Sequence, residues 1–278
     1  MKRIDFLCGL GKVLCAVASL LWIAPRINAS DVLIGLNVPS GQQVPLSRID
    51  HSPWNAMLQK YVDQRGMVDY KSWKAAAADT KALDDYLSQL SYSNGQGNEA
   101  EKLAYWINAY NALTVKGILR EYPTSSIRNH TAKVIGYNIW KNLKLVSSGK
   151  PTSLDSMEHE ILRKMGEPRI HFAIVCASIG CPRLLNEAYV PEKLDVQLTV
   201  NAQAFFADPG KFRMDANRRA FSVSPILQWF GEDFGPNTSA QLKRIAAWLP
   251  DTNAQQLAAA GTGTMSYLEY DWGLNDRK

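Results

Sequence analysis

Residues 98–119 constrain the fold more than any other stretch. Asn98 and Glu101 have the spacing of a capping box, and Pro123 follows shortly after Leu119, so one long helix is predicted between them. At about 100° per residue, Leu103, Trp106, Tyr110, Leu113, Thr114 and Gly117 share a face that should look into the core. Glu101, Tyr105, Asn108 and Ala112 form a second, narrow stripe. Glycine inside a helix costs roughly 1 kcal/mol against alanine, so Gly117 predicts close packing of another element. Asn108 and Asn111 are poor helix formers. Their amides should bond something buried, which leaves three readings: a backbone partner, a histidine to orient, or an oxyanion.

The chain starts Met-Lys-Arg, runs apolar over 6–24 and reaches Ile27-Asn28-Ala29. That is the layout of a secretory signal peptide over 1–29, which makes the expected location periplasmic or secreted, with no stable membrane span after cleavage. Four basic residues and one acidic residue lie in this leader, so the formal charge of +5 falls to +2. No basic block is left to suggest nucleic acid. Cys8 and Cys15 also lie in the leader, leaving Cys176 and Cys181 in a mature chain of about 250 residues. A chain of that length can bury a core without staples.

After an irregular lead-in over 30–50, helical spacing recurs over 52–61 (Trp54, Met57, Leu58, Tyr61) and over 79–90. Residues 134–146 read as one or two strands. Ser153 or Asp155 caps a short helix ending at Arg163, with Glu158 in the middle of its apolar stripe and His159 on the polar side. Residues 170–175 are apolar apart from His171 and predict a strand covered on both faces. Cys181-Pro182 then suggests a helix start, where the dipole would favour a thiolate. A helix over 194–206, a hairpin over 212–223 around Asp215-Ala216-Asn217, and short helices at 226–230 and 242–249 follow. A polar, alanine-rich tract over 251–264 leads to the closing aromatic segment 267–272. The fold class is therefore α+β, a mostly helical single domain over 51–278 packed around a small β-sheet.

Three groups could carry chemistry. Glu158, ionised and buried, would need a partner, either an arginine such as Arg163 or Arg169 or the imidazole of His171. His171 is either a hydrogen-bonded core residue or a base. Cys176 and Cys181 are either a disulfide across a short turn or a nucleophile with its neighbour. Strand parity would put His171 and Cys176 on opposite faces. No further Cys or His has ligand spacing around this pair, no phosphate-loop or dinucleotide motif occurs, and no cofactor is implied.

The segments Leu103-Ala-Tyr-Trp-Ile-Asn-Ala-Tyr-Asn-Ala-Leu113, Ser153-Leu-Asp-Ser-Met-Glu-His-Glu-Ile-Leu-Arg163, 169–182 and Tyr270-Asp-Trp-Gly-Leu-Asn275 together resemble the domain of unknown function 547 family. The resemblance runs over about 54–275, with glycine at 273 where serine is expected. It implies an exported bacterial protein made of this one domain and implies no activity. The residues alone support two readings. In the first, a cysteine-dependent hydrolase or acyltransferase acts on an amide or thioester of a small molecule or peptide. Cys181 (or Cys176) attacks, His171 takes the proton, Glu158 orients His171 and Asn108 polarises the substrate. In the second, the chain is a non-catalytic envelope binding or adaptor domain with a Cys176–Cys181 disulfide.

Overall fold

A computed structural model describes residues 30–132 and 136–277; the leader and the predicted strand residues Val134 and Ile135 lie outside them. After strand β1 (Val32–Ile34), helices α1 (Ser52–Tyr61), α2 (Tyr70–Ala75) and α3 (Ala77–Leu90) lead to α4 (Glu99–Glu121). Both halves of the capping box form: Asn98 Oδ1 accepts from the Glu101 N–H at 2.9 Å, and Glu101 Oε2 accepts from the Asn98 N–H at 2.8 Å. The predicted core face of α4 is buried apart from Trp106, and Tyr105, Asn108 and Ala112 on the second stripe are buried as well. The helix is thus an axis enclosed on several sides rather than a half-exposed layer.

Gly117 is where the next elements close on that axis. A Cβ there would lie 2.7 Å from Ile139 Cδ1 and 2.9 Å from Leu143 Cδ2. Those residues open α5 (Ile139–Asn142) and β2 (Leu143–Ser147), so part of the predicted strand region is a helical turn. Strand β2 runs parallel to β1 and antiparallel to β3 (Lys150–Ser153), in register Lys144↔Ser153 to Ser147↔Lys150. Ser153 then caps α6 (Leu154–Ser156), its Oγ accepting from the Ser156 N–H at 3.1 Å.

Residues 170–175 do not form the predicted strand. Pro168–Phe172 is a 3-10 turn capped by Glu167, whose carboxylate accepts from the Arg169 N–H at 3.0 Å. The run is apolar because its side chains enter two cores: Ile170, Ala173 and Val175 join the large cluster around α4, and Phe172 joins a smaller one. Its backbone needs no strand partner, since Asn111 donates to the Ala173 carbonyl and accepts from the Val175 N–H, each at 3.0 Å.

No helix starts at Cys181-Pro182 either. The chain is irregular until a 3-10 turn at Pro191–Lys193 and α7 (Leu194–Phe206). Side-chain oxygens again replace regular structure: Asn55, Asn108 and Gln197 accept from the N–H groups of Ala188, Tyr189 and Val190, each at 3.0 Å.

The hairpin forms as predicted from β4 (Phe212–Asp215) and β5 (Ala220–Val223). Helices α8 (Ile226–Trp229), α9 (Gly231–Phe234) and α10 (Thr238–Ile245) follow. The alanine-rich tract is a helix, α11 (Thr252–Ala260), capped by Asp251. Strand β6 (Thr264–Tyr267) runs parallel to β5, completing a second three-stranded sheet. The fold is α+β, with two small sheets in place of the one expected. No described helix is long and apolar enough to cross a membrane.

Candidate active site

The segment after α6 is wound unusually. Met157–Leu162 is a π-turn, Arg163–Met165 a 3-10 turn, and Gly166 ends the run at φ 72°. A wider i→i+5 turn changes the angle between successive side chains. Met157 and Leu162 remain buried, while Glu158 and His159 both line one cavity. His159 therefore does not point to the opposite, polar side, as a regular helical wheel predicts.

That cavity has a volume of about 250 Å³. It lies where the two hydrophobic clusters meet, beside the 3-10 turn that sends Ile170 one way and Phe172 the other. Its polar lining includes Glu158, His159, His171, Cys176, Cys181 and Tyr270; Trp140, Trp229, Phe230 and Trp272 supply much of the rest.

His171 is buried and stacks on Phe230, with ring centroids 4.3 Å apart. Its Nε2 lies 2.7 Å from Asp233 Oδ2. The same carboxylate accepts from Arg163 Nε at 2.7 Å and, through Oδ1, from Arg163 Nη2 at 2.9 Å. Arg163 also reaches Glu232 and lies over the Phe230 ring. Burial holds the imidazole down to about 4, against the opposing pull of Asp233, so it is neutral near pH 7. A neutral ring that donates Nε2–H to a carboxylate carries its lone pair on Nδ1. Burial raises Asp233, but its bonds to Arg163 and His171 outweigh this and keep it ionised below the usual carboxylate range.

Cys176 and Cys181 are free thiols, so the disulfide expected in the binding-domain reading is not present. The Cys176 N–H donates to Cys181 Sγ at 2.8 Å. Cys176 Sγ lies 2.8 Å from Ser178 Oγ and 3.0 Å from Tyr270 Oη. Ala177 between them sits at φ 57°, a strained value for a residue with a Cβ. The segment after β6 holds it there: the Asn275 N–H donates to the Ala177 carbonyl, and Ser178 bridges Leu274.

The two sulfurs ionise differently. Burial pushes the Cys176 thiol well up. Burial also raises Cys181, but hydrogen bonds from the Cys176 thiol, the Tyr270 hydroxyl and the N–H groups of Cys176 and Ser178 act on its sulfur and carry it below the usual thiol value. Cys181 thus acquires its thiolate character from side-chain donors, Cys176 first and then Tyr270, with backbone N–H groups behind them, rather than from a helix terminus.

Glu158 does not bond His171. Its Oε2 accepts from Tyr110 Oη at 3.1 Å, and burial pushes its carboxyl up despite His159, that bond and Arg163. Arg163 and Arg169, the arginines expected as partners, are engaged elsewhere, Arg169 with Glu167 and Asp195. Asn108 is fully buried away from the cavity, donating to the Tyr189 carbonyl at 2.8 Å and accepting from the Tyr189 N–H at 3.0 Å. Its amide is an anchor for the irregular segment and does not line the cavity, so it is not placed to polarise a substrate there.

Sequence reasoning missed Asp233 and gave Tyr270 no role. Nothing local marks Asp233, which meets His171 across 62 positions. Tyr270 opens the last of the resemblance segments, a signal that could have drawn attention to it.

The family model described as "Protein of unknown function, DUF547" matches residues 95–206. That range contains Glu158, His171 and both cysteines and excludes Asp233 and Tyr270. No curated protein and no solved structure matches the chain.

Proposed function

The chain belongs to the DUF547 family through residues 95–206, a family whose description names no activity, and from the cavity we propose a cysteine-dependent hydrolase or acyltransferase. The substrate is an amide or thioester, and Cys181 is the nucleophile. The observation that carries the proposal is the company of one lowered thiol. Donors converge on Cys181, and the same cavity is lined by a neutral histidine pinned to an ionised aspartate.

In the reaction, Cys181 Sγ attacks the acyl carbon and forms a C–S bond while the carbonyl π pair moves to oxygen. The thiol proton passes to His171 Nδ1, and Asp233, fixed by Arg163, stabilises the imidazolium. Tyr270 Oη and Ser178 Oγ are the hydroxyls nearest the sulfur pair and stabilise the oxyanion. Collapse breaks the bond to the leaving nitrogen or sulfur, which takes the proton from His171. Water or an acceptor nucleophile then attacks the acyl-enzyme, releases the acyl product and restores the thiol. Asn108 and Asn111 act as positioning residues for the loops around the site.

Alkylation at neutral pH tests this reading. Iodoacetamide should label Cys181 faster than a model thiol and faster than Cys176, and His171→Ala should slow it. Equal, slow labelling of both cysteines, or labelling indifferent to His171, would overturn it. The leader-like residues 1–29 extend the proposal to a periplasmic or secreted location. Intact mass should then show a mature N terminus near Ser30.

A further inference from the structure

We propose that the acyl group taken by this cavity is uncharged and has a flat apolar face, and that Trp229 selects it; the inference rests on the thiol reading above. Trp229, Tyr270 and Trp272 form one continuous wall. Their ring centroids are 4.9 Å (Trp229 to Tyr270), 4.5 Å (Tyr270 to Trp272) and 5.8 Å (Trp229 to Trp272) apart. The wall begins at the thiols, where Tyr270 Oη lies 3.0 Å from Cys176 Sγ. It ends in solvent, with Trp229 46 % exposed. A ring of that size left half in water at the edge of a cavity marks a contact surface. A substituent on the carbonyl that Cys181 attacks has this wall beside it in the same cavity, and flat groups gain from offset stacking on such rings beyond simple burial.

The charges of the cavity argue the same way. Arg163, whose guanidinium lies over the lining ring of Phe230, is already engaged by Asp233 and Glu232 and has little left for an anionic acyl group. Asp155 lines the cavity and would repel such a group. Glu158, also in the lining, is pushed toward its neutral form by burial, which weakens it as a counter-charge for a cation. Arg128 lies over the Trp272 ring, 5.1 Å from its centroid, so the wall and the lining carry charges of opposite sign and neither an anion nor a cation meets an unopposed partner.

The test compares four thiol reagents on the mature chain: iodoacetamide, N-benzyl iodoacetamide, iodoacetate and 2-bromoethylammonium. Each rate at Cys181 is divided by that reagent's rate with β-mercaptoethanol. N-benzyl iodoacetamide should exceed iodoacetamide by about tenfold, and both charged reagents should fall below it by about as much. Trp229→Ala should bring the benzyl preference close to one, and Trp229→Phe should retain most of it, which separates a lost ring from a damaged fold. A charged reagent as fast as iodoacetamide, or a benzyl preference that is absent or survives Trp229→Ala, overturns the inference and leaves the nucleophile standing. If no reagent labels Cys181 faster than the model thiol, the thiol reading falls and takes this one with it.

Discussion

Replacing Asp233 tests how the site is held together. Its two oxygens accept three hydrogen bonds, from His171 Nε2, Arg163 Nε and Arg163 Nη2, joining α9, the 3-10 turn that carries His171 and the one that opens at Arg163. Asp233→Ala would strand an imidazole whose side chain is 1 % exposed and a guanidinium that is 18 % exposed. Removing one member of a buried pair costs about 3–5 kcal/mol. Glu232 still holds Arg163, and the Asp233 side chain is itself 21 % exposed, so the lower end applies, about 3 kcal/mol. At about 2–4 °C per kcal/mol for a chain of this size, the melting midpoint should drop by about 6–12 °C. Asp233→Asn separates orientation from stability. Its oxygen can still accept from Arg163, but an amide NH2 facing Nε2 moves the ring proton to Nδ1 and removes the lone pair there. Its midpoint should fall less, while iodoacetamide labelling of Cys181 slows by roughly tenfold or more. Circular dichroism melts and peptide-mapped labelling give the two readouts. A parental midpoint for Asp233→Ala, or parental labelling for Asp233→Asn, would refute the argument that this carboxylate holds the imidazole.

Asn108→Ala should lose about 3 kcal/mol in urea unfolding, because both the N–H and the carbonyl of Tyr189 lose their buried partner. Gly117→Ala should destabilise by about 1–2 kcal/mol despite its better helix propensity, since the added methyl meets Ile139 and Leu143; a more stable variant would contradict the packing. Burial holds both His171 and His51 at about 4, below the free value of about 6.5. As pH falls the unfolded chain binds protons first, so stability is complete above about pH 6.5 and declines through the window down to about 4. Urea midpoints that stay flat across that window would show that neither ring is kept neutral.

The sequence by itself determined the elements whose stabilising contacts are local. The Asn98–Glu101 box reaches three residues, α7 (Leu194–Phe206) is legible from its own period, and the 212–223 hairpin from its own turn. Gly117 announced a close neighbour without naming it. Chemistry-bearing residues also stood out locally: a carboxylate on an apolar stripe, a histidine in an apolar run, and two thiols five positions apart. Tertiary structure decided how they connect. An apolar run looks the same whether a strand ladder or a distant amide satisfies its backbone, so 170–175 read as a strand until Asn111 supplied the bonds. A proline suited to a first helical turn made Cys181-Pro182 look like a helix start, but Asn55, Asn108 and Gln197 hold the chain that follows irregular at 188–190. Hydrogen bonding takes whichever carboxylate the packing delivers. His171 therefore pairs with Asp233 from the far core rather than with Glu158 nearby, and the π-turn turns His159 into the cavity. Spacing along the chain carries periodicity and caps, but a partner 62 positions away is chosen only when two hydrophobic clusters close against each other.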